Sequence, residues 1–438
     1  MLKSIFNTIS FRLATQFIGM FILFMTANIL GIEGKGEKSI FMANLTLVIL
    51  LNGVIGSSVI VYLTPKVNFY KLLIPSYLWA LISSFISPLL LSFLFNGIAS
   101  FYDLSADVLN LKSTNYYFYL VAASFMGSIF EFHSMVLLGK QKITQMNLLS
   151  FIKICVIATT LLVFFYLFHM KTVESYFIAV NVAYAIGTSI SIFMILKLPE
   201  RFSVENLSDV LKQLIKLGFI DQFSNVVQFL NRRLPYYPLL LLYGEGDVGI
   251  LSVGVALSEA ILFLPQSIST VQYAKISNST DEKYNINIST KMFRFSLMIL
   301  AVGLLFLLLF PFYDLLLSNN FEMVKDVIAL LSIGIISLGS SSILNHYFSG
   351  IGKFEQNVYS NLLGLLATIF IGCVYLIPTY GIWGAAITPT ISYTIINIYL
   401  AIAFKIKTKV SFLELIPKAS DFSDFLSLVT TQFKKLRR

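Results

Sequence analysis

The chain has 438 residues, 57% of them hydrophobic and only 12% charged, with a formal net charge of +9. A typical soluble domain carries about 25% charged residues, so this composition excludes an ordinary soluble enzyme and describes a polytopic membrane protein. Two cysteines, Cys155 and Cys373, fall inside apolar stretches and offer neither a disulfide framework nor a CxxC metal site.

In chain order, Lys3 and Arg12 precede a first apolar span that lacks a short h-region and a small-residue cleavage site, which reads as an uncleaved helix. With about 20 residues needed per crossing, spans fall at roughly 10–31, 40–64, 72–95, 117–138, 147–168, 175–196, 215–242, 248–273, 292–312, 325–349, 357–378 and 381–404. The expectation is an all-α polytopic protein of twelve transmembrane helices, with an N-terminal six-helix lobe (1–196), a linker (197–214), a C-terminal six-helix lobe (215–404) and a basic amphipathic tail (405–438). The tail alternates apolar and acidic residues between lysine and arginine clusters, a pattern suited to the anionic inner leaflet.

Of the 31 Lys and Arg residues, 23 collect at one set of helix ends, and five, Lys35, Lys38, Lys112, Lys171 and Lys325, at the other. The positive-inside rule then makes both termini cytoplasmic. The positive charge serves topology, and no nucleic-acid partner is expected. External connections are short and several are acidic, so no loop is long enough for a soluble catalytic domain. No GxxxxGK[ST] phosphate loop and no HxxxH or HExxH metal spacing occurs. A transporter without a cofactor is expected. An offset of 213 residues relates Gly36, Ser39 and Ala43 to Gly249, Ser252 and Ala256, and Gly139 and Lys140 to Gly352 and Lys353. Two parallel repeats place a substrate path at their interface.

Three cations remain inside spans: Lys153, Arg232 and Arg233. Ionisable groups at membrane depth are costly unless they face protein or water. On the seventh span, Asp221, Asn225, Gln228 and Arg232 are spaced by 4, 3 and 4 residues and share one helical face, while Ile220, Phe223, Val226, Val227 and Leu230 form the other. Arginine binds phosphate oxygens bidentately and stays charged, so this polar stripe suits a large anionic cargo. Arg232 lies on the stripe. Arg233 diverges from it by about 100° and either faces the same path or pairs with Glu259. Pro235 and Pro238 are expected to bend the helix beyond them.

Arg12, which shares a face with Gln16 and Gly19, and Arg294 extend the candidate cationic path or snorkel to headgroups. Lys153 is deeper. Asp221, Glu259 and Glu131 are the candidate acids for coupling to a proton or sodium ion. Glu131 and His133 read as lying toward the cytoplasmic end of the fourth span, and His346 as a hydrogen-bonded packing residue. No metal site is expected.

Three stretches, GIEGKGEKSIFMANL, NRRLPYYPLLLLYGEGDVGILSVGVALSEAILFLPQSI and LIPTYGIWGAAITPTISY, resemble the polysaccharide transporters of the multidrug/oligosaccharidyl-lipid/polysaccharide flippase superfamily, and the similarity runs over nearly the whole chain. The resemblance implies a MATE-like arrangement of two six-helix bundles in a V around a central cavity. It further implies movement of undecaprenyl-diphosphate-linked oligosaccharide units, of O-antigen or capsule type, from the inner to the outer leaflet. A polymerase and chain-length proteins of the same pathway would be partners of a monomeric flippase. The sequence departs from the family's common pattern where an acidic residue follows the arginine of the seventh helix: here Arg232 is followed by Arg233.

Overall fold

A computed structural model describes the backbone of residues 2–102, 114–140, 142–203, 205, 207–277, 279, 281–353 and 355–418. Side chains are described for all of these except 2–10, 57, 58, 62, 94, 95, 114, 217, 220, 221, 224, 270, 271, 274, 275 and 277. The end of the tail, 419–438, thus lies outside the described residues. Among them every regular element is helical, in the order α1 (Leu2–Asn52), α2 (Ser57–Leu63), α3 (Phe69–Phe101), α4 (Thr114–Gly139), α5 (Ile143–Leu162), α6 (Val173–Leu196), α7 (Leu207–Arg233), α8 (Tyr236–Tyr243), α9 (Glu245–Ala260), α10 (Phe263–Ser277), α11 (Glu282–Leu309), α12 (Val324–Gly350), α13 (Glu355–Ala367), α14 (Ile377–Thr408) and α15 (Phe412–Leu415).

The polarity of α3 is inverted relative to a soluble helix. Ser76, Ala80, Ser83, Ser84, Ser87 and Leu91 recur at helical spacing and are all buried. The opposite face of Leu81, Phe85, Leu89 and Phe93 is exposed. Small and hydroxyl-bearing residues facing neighbouring helices, with large apolar ones facing outward, is how helices associate in lipid, where burying leucine gains nothing over contact with acyl chains. The protein is a multi-pass membrane protein.

Eight helices among the described residues are long and apolar enough to cross a membrane, or nine if the bent pair Glu245–Ala260 and Phe263–Ser269 is one span. Two of the eight, Phe11–Val61 and Glu355–Thr408, each cover two of the spans expected from sequence. Each contains a glycine with non-helical torsions, Gly31 (φ 69°, ψ −172°) and Gly381 (φ 55°, ψ −129°), joining two helices across a kink with no intervening loop. The seventh expected span is divided into α7 and α8 around Pro235, which carries no backbone donor to continue the ladder.

The chain forms two compact units. The first comprises Met1–Phe229 and Tyr236–Gly249. Its apolar core includes Phe41, Phe69, Phe130, Phe132 and Phe165. Polar bonds fasten the helices: Asn52 Nδ2 donates to Ser84 Oγ on α3 and to Ser128 Oγ on α4, both at 2.8 Å. Asn44 donates to the Tyr116 hydroxyl at 2.9 Å and accepts from that of Tyr237 at 3.0 Å.

Also within this unit, the sequence repeat takes physical form. A β-carbon on Gly36 would lie 1.8 Å from the carbonyl oxygen of Glu245, and one on Gly249 would lie 1.9 Å from that of Ile32. The offset of 213 relates 32 to 245 as it relates 36 to 249, so the contact is reciprocal, like a two-fold crossing of equivalent helices. Gly31 and Gly244, related by the same offset, both have positive φ, 69° and 91°. Further along, α5 and α13 each run into a π-helical segment, Val163–Leu167 and Thr368–Leu376. A positive-φ residue follows each segment, His169 (53°) and Gly381 (55°).

The second unit comprises Leu230–Pro235 and Ile250–Arg438. Its α12 runs against α10, α11 and α14, and Gly334 brings it so close to α14 that a β-carbon there would meet Thr390 Cα at 2.6 Å. Gln272 on α10 donates to Ser289 Oγ at 2.9 Å and to the Ile343 carbonyl at 3.2 Å.

Candidate functional site

The two arginines of α7 end that helix, immediately before the break at Pro235. Their side chains have different fates. Arg233 forms a salt bridge with Glu259 of α9 at 3.0 Å, with 28% and 19% of the two side chains exposed. Arg232 is half-buried, has no salt-bridge partner among the described residues, and its Nε lacks a hydrogen-bond acceptor. Asn231, beside them, is buried and donates to the Asn361 carbonyl at 3.0 Å, fixing the end of α7 to α13. Adjacent positions on a helix diverge by about 100°, which is why Arg233 reaches Glu259 and its neighbour does not.

Earlier on α7, the inward polar group is Gln222, 2% exposed, which donates to the Leu50 carbonyl at 2.7 Å and accepts from Asn225 Nδ2 at 2.7 Å. Gln228 is exposed. The side chain of Asp221 lies outside the described residues. On the apolar positions, Val227 is buried and Phe223 is 47% exposed.

In the first unit, Lys153 of α5 meets Glu131 of α4 at 3.9 Å and stands over the rings of Phe130 (4.8 Å) and Tyr184 (4.9 Å). One ammonium is thus held by a carboxylate and two aromatic faces. Glu131, 37% exposed, thus links α4 to the neighbouring α5. His133 is 1% exposed and enclosed by Tyr77 and Ser191. Ser191 gives its proton to the Thr188 carbonyl at 2.8 Å, so it accepts from His133 Nδ1, and Nε2 accepts from the Tyr77 hydroxyl.

Arg12 and Gln16 are both exposed on α1. Arg294 reaches the Glu414 carbonyl at 3.3 Å, fastening α15 to α11, and Lys407 of α14 meets Glu282 of α11 at 3.4 Å. His346 places Nδ1 2.7 Å from the Ser342 carbonyl, and its ring is edge-on to Tyr273. No group of three or more His, Cys, Asp or Glu side chains suited to a metal ion occurs among the described residues.

Sequence reading missed one cluster. Lys35 and Lys38, assigned to an external connection, are 3% and 6% exposed inside the first unit. The glycines on either side of Lys35, in the stretch GKGEK, were the available signal, because they permit the close packing that encloses it.

The chain shares its fold with solved structures of membrane transporters, several of them described as members of the multidrug/oligosaccharidyl-lipid/polysaccharide (MOP) superfamily. Among solved structures of that fold, an inward-closed lipid II flippase MurJ superimposes with a TM-score of 0.69 at 17% identity, covering 93% of this chain and 89% of that one. An inward-facing multidrug resistance MATE family transporter gives 0.66 at 14% identity, over 89% of this chain and 96% of that one. A MOP superfamily transporter from Pyrococcus furiosus, described as having a binding pocket of reversed polarity, gives 0.60 at 15% identity, over 92% and 96%. No family model and no curated protein matches the sequence.

Proposed function

We propose that the protein is a flippase that carries undecaprenyl-diphosphate-linked oligosaccharide units, of O-antigen or capsule type, from the inner to the outer leaflet of a bacterial inner membrane by alternating access. The observation that carries this reading is Arg232, a half-buried arginine at the end of α7 with no salt-bridge partner among the described residues. A lipid diphosphate supplies the missing charge and matches the guanidinium fork. Lys153 is a second membrane-embedded cation, one already held by Glu131, and Arg233 is matched by Glu259.

A lipid II carrier is the second reading, favoured by the likeness to the MurJ structure. It shares the diphosphate chemistry and differs in the glycan. An exporter of cationic drugs fits less well, because an arginine with no salt-bridge partner among the described residues repels its cargo.

The test uses purified protein in liposomes containing a fluorescent undecaprenyl-diphosphate saccharide. A charge-assisted hydrogen bond contributes about 1.5–3 kcal/mol, so Arg232→Ala should slow translocation roughly 10- to 100-fold, with Arg232→Lys intermediate. Undiminished translocation by well-folded Arg232→Ala protein refutes the assignment. Comparing an O-antigen-type saccharide with the lipid II head separates the two carriers.

A further inference from the structure

Beyond the last crossing the chain folds back on itself. In the final turn of α14, Lys407 meets Glu282, the first residue of α11, at 3.4 Å. Lys409 then adopts a left-handed conformation (φ 62°, ψ 12°), which ends the helix and reverses the chain. A few residues later the Glu414 carbonyl accepts from Arg294 of α11 at 3.3 Å. From Glu282 to Arg294 along α11 is about 18 Å at 1.5 Å per residue. The segment therefore runs back toward the membrane, from the polar start of α11 to the point where its apolar run, 295–310, begins.

One side of this returning segment is fixed inward. Val410 and Leu415 are buried in the apolar core of the second unit. A capping box closes α15, with the Ser411 N–H donating to Glu414 Oε1 at 3.1 Å. The residues left facing outward are Phe412, Leu413 and Ile416, with 44%, 75% and 54% of their surface exposed. Lys405, Lys407, Lys409 and Lys418 are exposed around them, and Lys405 Nζ stands 4.5 Å from the centroid of the Phe412 ring. Four lysines against one glutamate give residues 405–418 a net charge of +3. Lysines 405, 407 and 409 belong to the end of α14 that reaches Glu282, on the water side. Leu413 and Ile416 flank Glu414, level with the start of the apolar run.

We propose that residues 405–418 form a docking elbow for anionic phospholipid, in which Phe412, Leu413 and Ile416 enter the edge of the acyl layer and the lysines hold headgroup phosphates. Two observations select the bilayer surface as occupant. The exposed apolar residues lie at the boundary of a membrane-crossing helix, and the cations stand on the water side of them, the order of layers in an anionic interface. Through the bond between Arg294 and Glu414, lipid held by the elbow braces α11 against α14. The inference concerns the membrane around the protein and holds whatever cargo the protein carries.

The test places full-length Leu413→Trp protein in nanodiscs of mixed phosphatidylglycerol and phosphatidylcholine. In one set the anionic lipid carries brominated acyl chains, and in the other the zwitterionic lipid does, at equal mole fraction. Bromine quenches an indole only at short range, and the signal of the two native tryptophans is subtracted using unsubstituted protein. Both lipids should quench, the anionic one several-fold more effectively. Each lysine near an anionic surface contributes about fivefold, so Lys409→Gln should lower the preference by up to about that factor, and glutamine at all four lysine positions should abolish it. Ile416→Trp replaces Leu413→Trp if that variant does not fold. Equal quenching by the two lipids, or a preference that survives loss of all four lysines, overturns the proposal. Absence of quenching also overturns it, and removal of residues 419–438 then identifies the occupant: quenching that appears only after removal shows that this segment of the chain covers the face, and none in either form points to a protein partner. Failure of the flippase reading in the translocation assay leaves these outcomes unchanged.

Discussion

Replacing Gly36 or Gly249 by alanine tests the reciprocal crossing directly. The added β-carbon would stand 1.8 Å or 1.9 Å from a carbonyl oxygen of the facing helix, whereas carbon and oxygen in contact sit about 3.3 Å apart. The helices must separate by roughly 1.5 Å at that point, and backbone cannot swing aside as a side chain would. Overpacking of this kind costs about 1–3 kcal/mol, and a backbone clash belongs at the upper end of that range. Because either alanine alone forces the separation, the second should add little, and the double variant should fall short of the sum by about 1 kcal/mol or more. Gly97→Ala on α3 is the control, since a β-carbon there meets nothing within 4 Å and the substitution favours the helix by up to about 1 kcal/mol. Equilibrium unfolding in detergent micelles measures all four proteins. Single variants within about 0.5 kcal/mol of wild type, or effects that simply add, refute the crossing.

Two further outcomes follow from the geometry. Glu259→Gln leaves Arg233 without its carboxylate; with 28% of that side chain still exposed, the loss should be about 1–3 kcal/mol, below that of a fully buried pair, and adding Arg233→Met should recover most of it in the same unfolding assay. Gly31→Ala and Gly381→Ala impose a β-carbon on torsions that only glycine adopts freely, and each should lower stability by about 1–3 kcal/mol, read as a shifted unfolding midpoint with unchanged helical circular dichroism.

The membrane class was legible from composition, and the repeat from a handful of glycines, because both are enforced along the whole chain by lipid and by backbone approach. Span boundaries were less legible. A hydropathy window expects a polar loop at each reversal, and the kinks at Gly31 and Gly381 need only one residue. Charge placement failed differently at Lys35 and Lys38: the positive-inside count treats any cation between spans as solvated, whereas the tight approach at Gly36 encloses these two. The divergence of Arg232 and Arg233 followed from helical pitch, but the partner of Arg233, 26 residues away on another helix, required the tertiary structure. Arg294 shows the converse. Its position at a helix start suggested a headgroup or a cargo, and its observed partner is the backbone of a segment 120 residues later in the chain.

The inverted polarity of α3 bears on how this protein can be handled and how its sequence can drift. Its outer face needs only to be greasy, so leucine, isoleucine and phenylalanine are interchangeable there. The inner row of Ser76, Ala80, Ser83, Ser84 and Ser87 is constrained by volume, since each hydroxyl or methyl sets how near the next helix can come. A programme to solubilise the protein by recoding its surface would therefore find its freedom on the apolar side and its fragility among the serines. That reverses the rule that guides the same work on a water-soluble domain.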